Sequence, residues 1–294
     1  MVEPVVTYLE QGDQEAQTAA LGKAQHLRPR LWAREYSCVG DARGTIAITH
    51  DHAEHGGRYS KFGGRFAEGG WAVTVFDFRG HGDSDGERDG RFHSAADLVD
   101  DVDLALQHVA FLLPEAPRVV LGTGLGALAA IGYALQHPDR CAGFVALNPD
   151  IAPGPAFKKG GLLSGLFGGG TLQLDPAERF RDTAKAAAFA NDKKLTMKRD
   201  GRTAAAVDEL RKLVRDGAGN LKRPGLVVIS KGDRIADPAA TRDFCKRAGA
   251  QVELLETDLG HAIIDDAESE KAIGPVFAWL ENRFPRGVNK EHRL

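Results

Sequence analysis

Short apolar runs rich in β-branched residues alternate along this chain with longer segments in which apolar residues recur at helical spacing. The short runs predict strands at residues 31–39, 44–50, 71–77, 118–122, 143–148, 224–230 and 252–257. The longer segments predict helices at residues 94–113, 125–136, 239–248 and 269–284. Such alternation is typical of an α/β fold with a mostly parallel, doubly wound sheet. A further apolar run at residues 5–9 predicts an additional strand at the sheet edge.

The alternation stops between residues 149 and 223, a gap of about 75 residues where connections of two to six residues are usual. We therefore predict an α/β core formed by residues 1–149 and 223–294, with residues 150–222 inserted as a helical lid. Within this insertion, glycines that disfavour a stable long helix surround four apolar residues, Leu162, Leu163, Leu166 and Phe167. We interpret these four residues as a mobile substrate-binding flap, and ordinary core is the alternative.

Composition excludes several classes of protein. The 38 Lys+Arg and 41 Asp+Glu give a formal charge of −3, which argues against an electrostatic nucleic-acid binder. The three cysteines are far apart and suggest neither a disulfide framework nor a metal site, so we expect a reducing, cytoplasmic location. The first twenty residues lack a basic n-region followed by an apolar h-region, and no run approaches 18 apolar residues, so we expect neither secretion through a leader peptide nor a membrane span.

The segment Gly122-Thr-Gly124-Leu-Gly126 leads from a predicted strand into an alanine-rich helix. Three alternate glycines in this setting match the frame of a nucleophile elbow, in which the central residue is a serine on a strained turn. Here the central residue is Gly124. The segment alone is equally consistent with a plain glycine-rich turn or a weak phosphate loop.

Two further residues favour the elbow. Asp233 follows one predicted strand and His261 follows the next. An order of elbow, then aspartate, then histidine is the order of the α/β-hydrolase triad. Each residue alone is typical of a cap or a surface position, but together they predict that Asp233 hydrogen-bonds His261 and that the imidazole faces Gly124.

From about residue 30 to 284 the chain closely resembles the monoacylglycerol lipase and lysophospholipase-like family of α/β-hydrolases. The resemblance is carried by HDHAEHGGRY at residues 50–59, DFRGHGDSDG at 77–86, FAND at 189–192 and WL at 279–280. It implies an α/β-hydrolase fold, serine-based ester hydrolysis without a cofactor, and Asp233 orienting His261 as the general base.

Two departures from the family pattern fall on catalytic positions. Gly124 replaces the serine and has no oxygen with which to form an acyl-enzyme, and the neighbouring Thr123 is a poor substitute. Asp51 replaces a family glycine. The resemblance places the two oxyanion-hole N–H donors on His52 and Leu125, and a carboxylate on Asp51 is expected to oppose the negative charge that develops there.

Three functional hypotheses follow. The first-ranked is a non-catalytic relative that binds a lipid-like or other small apolar ligand. The others are an authentic carboxylic-ester hydrolase whose nucleophile was replaced by engineering, and an altered enzyme that uses Asp233 and His261 on water or an acidic proton without a covalent intermediate. The lid is expected to make transient contact with a membrane surface.

His50, His52 and His55 invite a metal-site interpretation, but the family pattern accounts for His50 and His55, so we expect no metal.

Overall fold

The computed structural model describes residues 2–10, 29–87, 90–158, 175–196 and 200–286, with side chains at 111, 112, 157 and 158 excepted. The four predicted flap residues, Leu162, Leu163, Leu166 and Phe167, lie outside these ranges. Within them, no helix is both long and apolar enough to cross a membrane.

Eight strands form one sheet in the order β1-β2-β4-β3-β5-β6-β7-β8. Strands β1 and β2 run antiparallel to their neighbours, and the pairs from β4 through β3 to β8 are parallel. The predicted α/β fold with a mostly parallel, doubly wound sheet is confirmed, and the apolar run at residues 5–9 forms the edge strand. The strands are β1 (Val5–Leu9), β2 (Leu31–Tyr36), β3 (Gly44–Thr49), β4 (Trp71–Phe76), β5 (Arg118–Thr123), β6 (Gly143–Leu147), β7 (Gly225–Ser230) and β8 (Val252–Thr257).

Helices cover both faces of this sheet, which explains why central strands such as β3 and β7 are buried along their whole length. The α-helices are α1 (Ser60–Glu68), α2 (Ala95–Leu112), α3 (Gly124–Gln136), α4 (Pro155–Lys158), α5 (Pro176–Arg179), α6 (Thr183–Ala190), α7 (Gly201–Gly217), α8 (Pro238–Ala248) and α9 (Glu270–Arg283). Apolar residues of α2, α3, α7 and α8 form the core on one face, and those of α1 and α9 form it on the other.

The insertion between β6 and β7 does not behave as one lid, which corrects the predicted boundary at residue 222. Helix α7 places Val207, Leu210 and Val214 in the main core, where Leu210 lies against Gly132 of α3. A shorter stretch, residues 175–196, instead contacts the loops that follow β3 and β8. We call residues 175–196 the cap segment.

Candidate active site

The turn from β5 into α3 has the geometry of a nucleophile elbow. Gly124 lies at its apex with φ of 52°, a left-handed conformation that glycine adopts without steric cost. Gly126 permits the close approach of strand and helix, because a Cβ there would lie 2.5 Å from the carbonyl oxygen of His50. The glycine frame therefore reflects a real backbone requirement.

Asp233 and His261 are brought together as predicted. His261 Nδ1 lies 2.7 Å from Asp233 Oδ2, and both side chains are buried. The other carboxylate oxygen, Oδ1, accepts backbone N–H groups from Ile235 at 2.8 Å and Ala236 at 3.2 Å. These bonds fix the carboxylate, which in turn fixes the orientation of the imidazole.

Asp51 occupies the place in which the predicted chemistry would occur. Its Oδ1 accepts the backbone N–H groups of His52 and Leu125, each at 2.7 Å. These are the two donors that the family resemblance assigns to the oxyanion hole. Because Leu125 lies in the first turn of α3, the positive end of the helix dipole also favours this carboxylate.

This position of Asp51 refines our expectation. The sequence argument placed the carboxylate beside the hole, opposing a developing negative charge. In the structure the carboxylate itself accepts both of the N–H groups that the resemblance assigns to the hole, so its own charge takes up both donors. A Cβ built at Gly124 would lie 1.9 Å from Asp51 Oδ1 and 2.1 Å from Cγ. Asp51 therefore also fills the space that a serine side chain at position 124 would need.

Sequence reasoning missed Arg179, the last residue of α5. Its Nη2 donates to Asp51 Oδ2 at 2.6 Å and to the carbonyl oxygen of His52 at 2.9 Å, and its Nη1 donates to Glu54 Oε1 at 3.0 Å. The guanidinium is buried and also lies 5.1 Å from the ring centre of Phe189. In the sequence Arg179 is one charged residue in a charged, helical stretch, which is typical of a surface position, so no signal marked it.

The hydroxyl group of Thr123 is also engaged, so it is not placed as a substitute nucleophile. It hydrogen-bonds the hydroxyl of Tyr59, which donates to Glu54 Oε2 at 2.5 Å and accepts the backbone N–H of Asp51 at 3.2 Å. Glu54 thus links the elbow to Arg179 through Tyr59.

These contacts determine the protonation states of Asp51 and His261. Burial disfavours the charged form of Asp51, but Arg179 and His261 outweigh burial and hold its pKa far below the ordinary value. Burial likewise disfavours protonated His261, but Asp233 and Asp51 outweigh it and raise its pKa to about 10. His261 is therefore an imidazolium at neutral pH. With Nδ1 on Asp233 and Nε2 3.0 Å from Asp51 Oδ2, it has no free nitrogen to accept a proton.

We expect the protonation of His261 to be visible in solution. Its side-chain ¹⁵N shifts should be those of an imidazolium from pH 6 to about 9. Because the folded pKa is raised from 6.5 to about 10, the stabilisation from this proton is complete below pH 6.5 and is lost as the pH rises toward 10. Urea unfolding should therefore show stability falling across this window in the wild type and a flatter profile in His261→Gln. Titration of His261 below pH 7 would contradict the assignment.

Two histidines of residues 50–55, His50 and His55, are engaged in local hydrogen bonds. His50 donates from Nδ1 to the carbonyl of Asp51 at 2.8 Å and accepts the N–H of Phe78 on Nε2 at 3.0 Å. His55 Nε2 lies 3.0 Å from Asp192 Oδ2. Within the described ranges, no three His, Cys, Asp or Glu residues are grouped as a metal site.

Comparisons with known proteins point to one family. The profile described as serine aminopeptidase, S33, matches residues 40–268. A monoacylglycerol lipase of Mycolicibacterium smegmatis is 27% identical over 252 residues, covering 82% of this chain and 89% of that protein. An uncharacterized abhydrolase domain-containing protein of Dictyostelium discoideum is 28% identical over 275 residues, and the match spans 90% of this chain but only 28% of that protein.

Similar solved structures confirm the predicted α/β-hydrolase fold. A monoacylglycerol lipase of Paleococcus ferrophilus superposes with a TM-score of 0.74 at 24% identity, covering 86% of this chain and 99% of that one. A soluble variant of monoglyceride lipase from Saccharomyces cerevisiae, in complex with a substrate analog, gives a TM-score of 0.77 at 17% identity and covers 97% of both chains.

Proposed function

The chain belongs to the serine aminopeptidase, S33, family of α/β-hydrolases and is monoacylglycerol lipase-like; from this premise we propose that it is a non-catalytic member that binds a lipid-like or small apolar ligand. One observation carries the proposal: the carboxylate of Asp51 occupies both N–H donors of the oxyanion hole and the space above Gly124. An ester carbonyl has neither a nucleophile to attack it nor free donors to polarise it.

The alternative of an enzyme disabled only by an engineered glycine is disfavoured. A serine at position 124 would collide with Asp51 at the Cβ position, so Gly124 and Asp51 fit each other as a pair. One engineered substitution does not account for two complementary changes.

The alternative of base chemistry through Asp233 and His261 is also disfavoured. A general base has to be unprotonated at the working pH, whereas Asp233 and Asp51 raise the pKa of His261 to about 10. Asp51 is itself a weak base, because Arg179 and His261 stabilise its ionised form.

The ligand class is supported by the family and by the apolar residues Leu162, Leu163, Leu166 and Phe167, which we propose contact an acyl chain and a membrane surface. Because the Asp51 carboxylate is tethered on the N–H donors of His52 and Leu125, its high effective concentration excludes a fatty-acid carboxylate from these donors. We therefore propose that the polar end of the ligand does not bind in the oxyanion hole.

The wild-type chain is expected to show neither a burst of acyl-enzyme with p-nitrophenyl esters nor labelling by a fluorophosphonate, because no nucleophile faces His261. Intact-mass spectrometry with an active monoacylglycerol lipase as the positive control gives the readout. Covalent labelling at Thr123 would overturn the proposal.

Calorimetric titration with a non-hydrolysable dodecyl glyceryl ether tests the proposed ligand class. The absence of binding would contradict the proposal that the protein binds a lipid-like ligand.

A further inference from the structure

Arg179 connects the cap segment to the core through a fully desolvated set of charges. Its side chain is 1% exposed, and those of Asp51 and Glu54 are 7% and 4% exposed. The two carboxylates lie in the loop after β3, whereas Arg179 is 125 and 128 positions away along the chain. One buried guanidinium therefore joins two parts of the fold that share no strand pairing.

Other contacts also hold the cap segment, and they include backbone hydrogen bonds and the ion pairs of a partly exposed arginine. The backbone N–H of Ala262 donates to the carbonyl of Arg179 at 3.1 Å, and the N–H of Thr196 donates to that of Ala53 at 3.0 Å. Arg181 binds Asp266 and Glu268, and its own side chain is 44% exposed, whereas that of Asp266 is 2% exposed and also accepts the backbone N–H groups of Gly260 and Glu268. Solvent weakens the contacts of the exposed guanidinium, and the two N–H groups still serve Asp266 without it. Removing one partner of the Arg179 pairs instead leaves an uncompensated charge out of water.

We propose that the ion pairs of Arg179 with Asp51 and Glu54, which we call the latch, hold the cap segment closed over the carboxyl ends of the strands. The pair with Asp51 is the more important of the two. Asp51 would thereby have a second role beyond filling the oxyanion hole: the same carboxylate binds the hole through Oδ1 and the cap through Oδ2. Access to the site would be governed by the stability of this latch. The inference goes beyond the proposed function, because it concerns how the cap is held.

Hydrogen exchange measured by mass spectrometry tests the latch, with Arg179→Met compared with Arg181→Met. The two arginines are two positions apart in the cap segment, and each pairs with carboxylates of the core. We expect Arg179→Met to accelerate exchange of the α5 and α6 amides at least tenfold while amides of β5 to β7 keep their protection. Arg181→Met should change cap exchange less than threefold. Equal acceleration in the two variants would overturn the proposal.

A second variant keeps the test decisive if Arg179→Met unfolds as a whole. The triple variant Asp51→Asn, Glu54→Gln and Arg179→Met removes all three charges together and leaves no unpaired ion. We expect its sheet to be as protected as in the wild type and its cap to exchange at least threefold faster. Cap exchange at the wild-type rate would show that packing rather than the ion pairs closes the segment. Fluorophosphonate labelling of the wild type tests the proposed function separately and does not depend on these rates.

Discussion

Gly124→Ser alone is expected to yield no measurable ester hydrolysis, whereas Gly124→Ser combined with Asp51→Gly should raise kcat/KM at least about a hundredfold above the single variant. A serine Cβ would lie 1.9 Å from Asp51 Oδ1, so the carboxylate would have to leave its contacts with His52, Leu125 and Arg179 before a serine could occupy the site. Removing Asp51 frees the N–H groups of His52 and Leu125, and one such donor is worth about 10²–10³ in rate. It also removes one of the two carboxylates that keep His261 protonated.

The measurement is kcat/KM on one series of short and medium p-nitrophenyl esters for the wild type, both single variants and the double variant. Because both positions serve one transition state, we expect the double variant to exceed the product of the single effects. Full activity in Gly124→Ser alone would contradict our interpretation of Asp51. If the double variant is also inactive, adding Arg179→Leu shows whether the remaining cation blocks the site, since Glu54 still pairs with it.

Asp51→Gly alone is expected to lower the free energy of unfolding by about 3–5 kcal/mol, the usual cost of breaking a buried ion pair from one side. The substitution leaves His261 with Asp233 as its one carboxylate partner and leaves Arg179 with Glu54 alone. It also leaves the backbone N–H groups of His52 and Leu125 without their acceptor. Asp85→Gly is the matched control, because Asp85 pairs with Arg30 at an exposed site and should cost less than about 1 kcal/mol. Urea unfolding of both variants gives the comparison, and similar losses would contradict the account.

Much of the fold was predictable because its signals are local. Strand runs, helical spacing and the glycines of the elbow each reflect the backbone of a short segment, and the predicted helices at residues 125–136 and 239–248 match α3 and α8 within one residue. The pairing of Asp233 with His261 was predictable from chain order, because successive parallel strands end at the same edge of the sheet.

The charge network was not predictable, because it depends on long-range contacts and on one side-chain conformation. Asp51 was identified as unusual, yet only the structure shows its carboxylate hydrogen-bonded to the N–H groups of His52 and Leu125. Arg179 carried no signal, since its partners lie more than a hundred positions away. The helix at residues 201–217 was assigned to the lid because it falls in the insertion, whereas its apolar face packs on α3.

The central claim is that Asp51 is the resident ligand of a carboxylate site made by two backbone N–H groups, Arg179 and His261. Thermal unfolding of Asp51→Gly in sodium acetate, against sodium chloride at equal ionic strength, tests it most directly. At ten times the dissociation constant, a bound acetate adds about 1.4 kcal/mol, which corresponds to a rise of a few degrees in Tm. We predict a saturable rise in Tm for the variant and no acetate-specific change for the wild type. No acetate effect in the variant, or an equal effect in both proteins, would contradict the account.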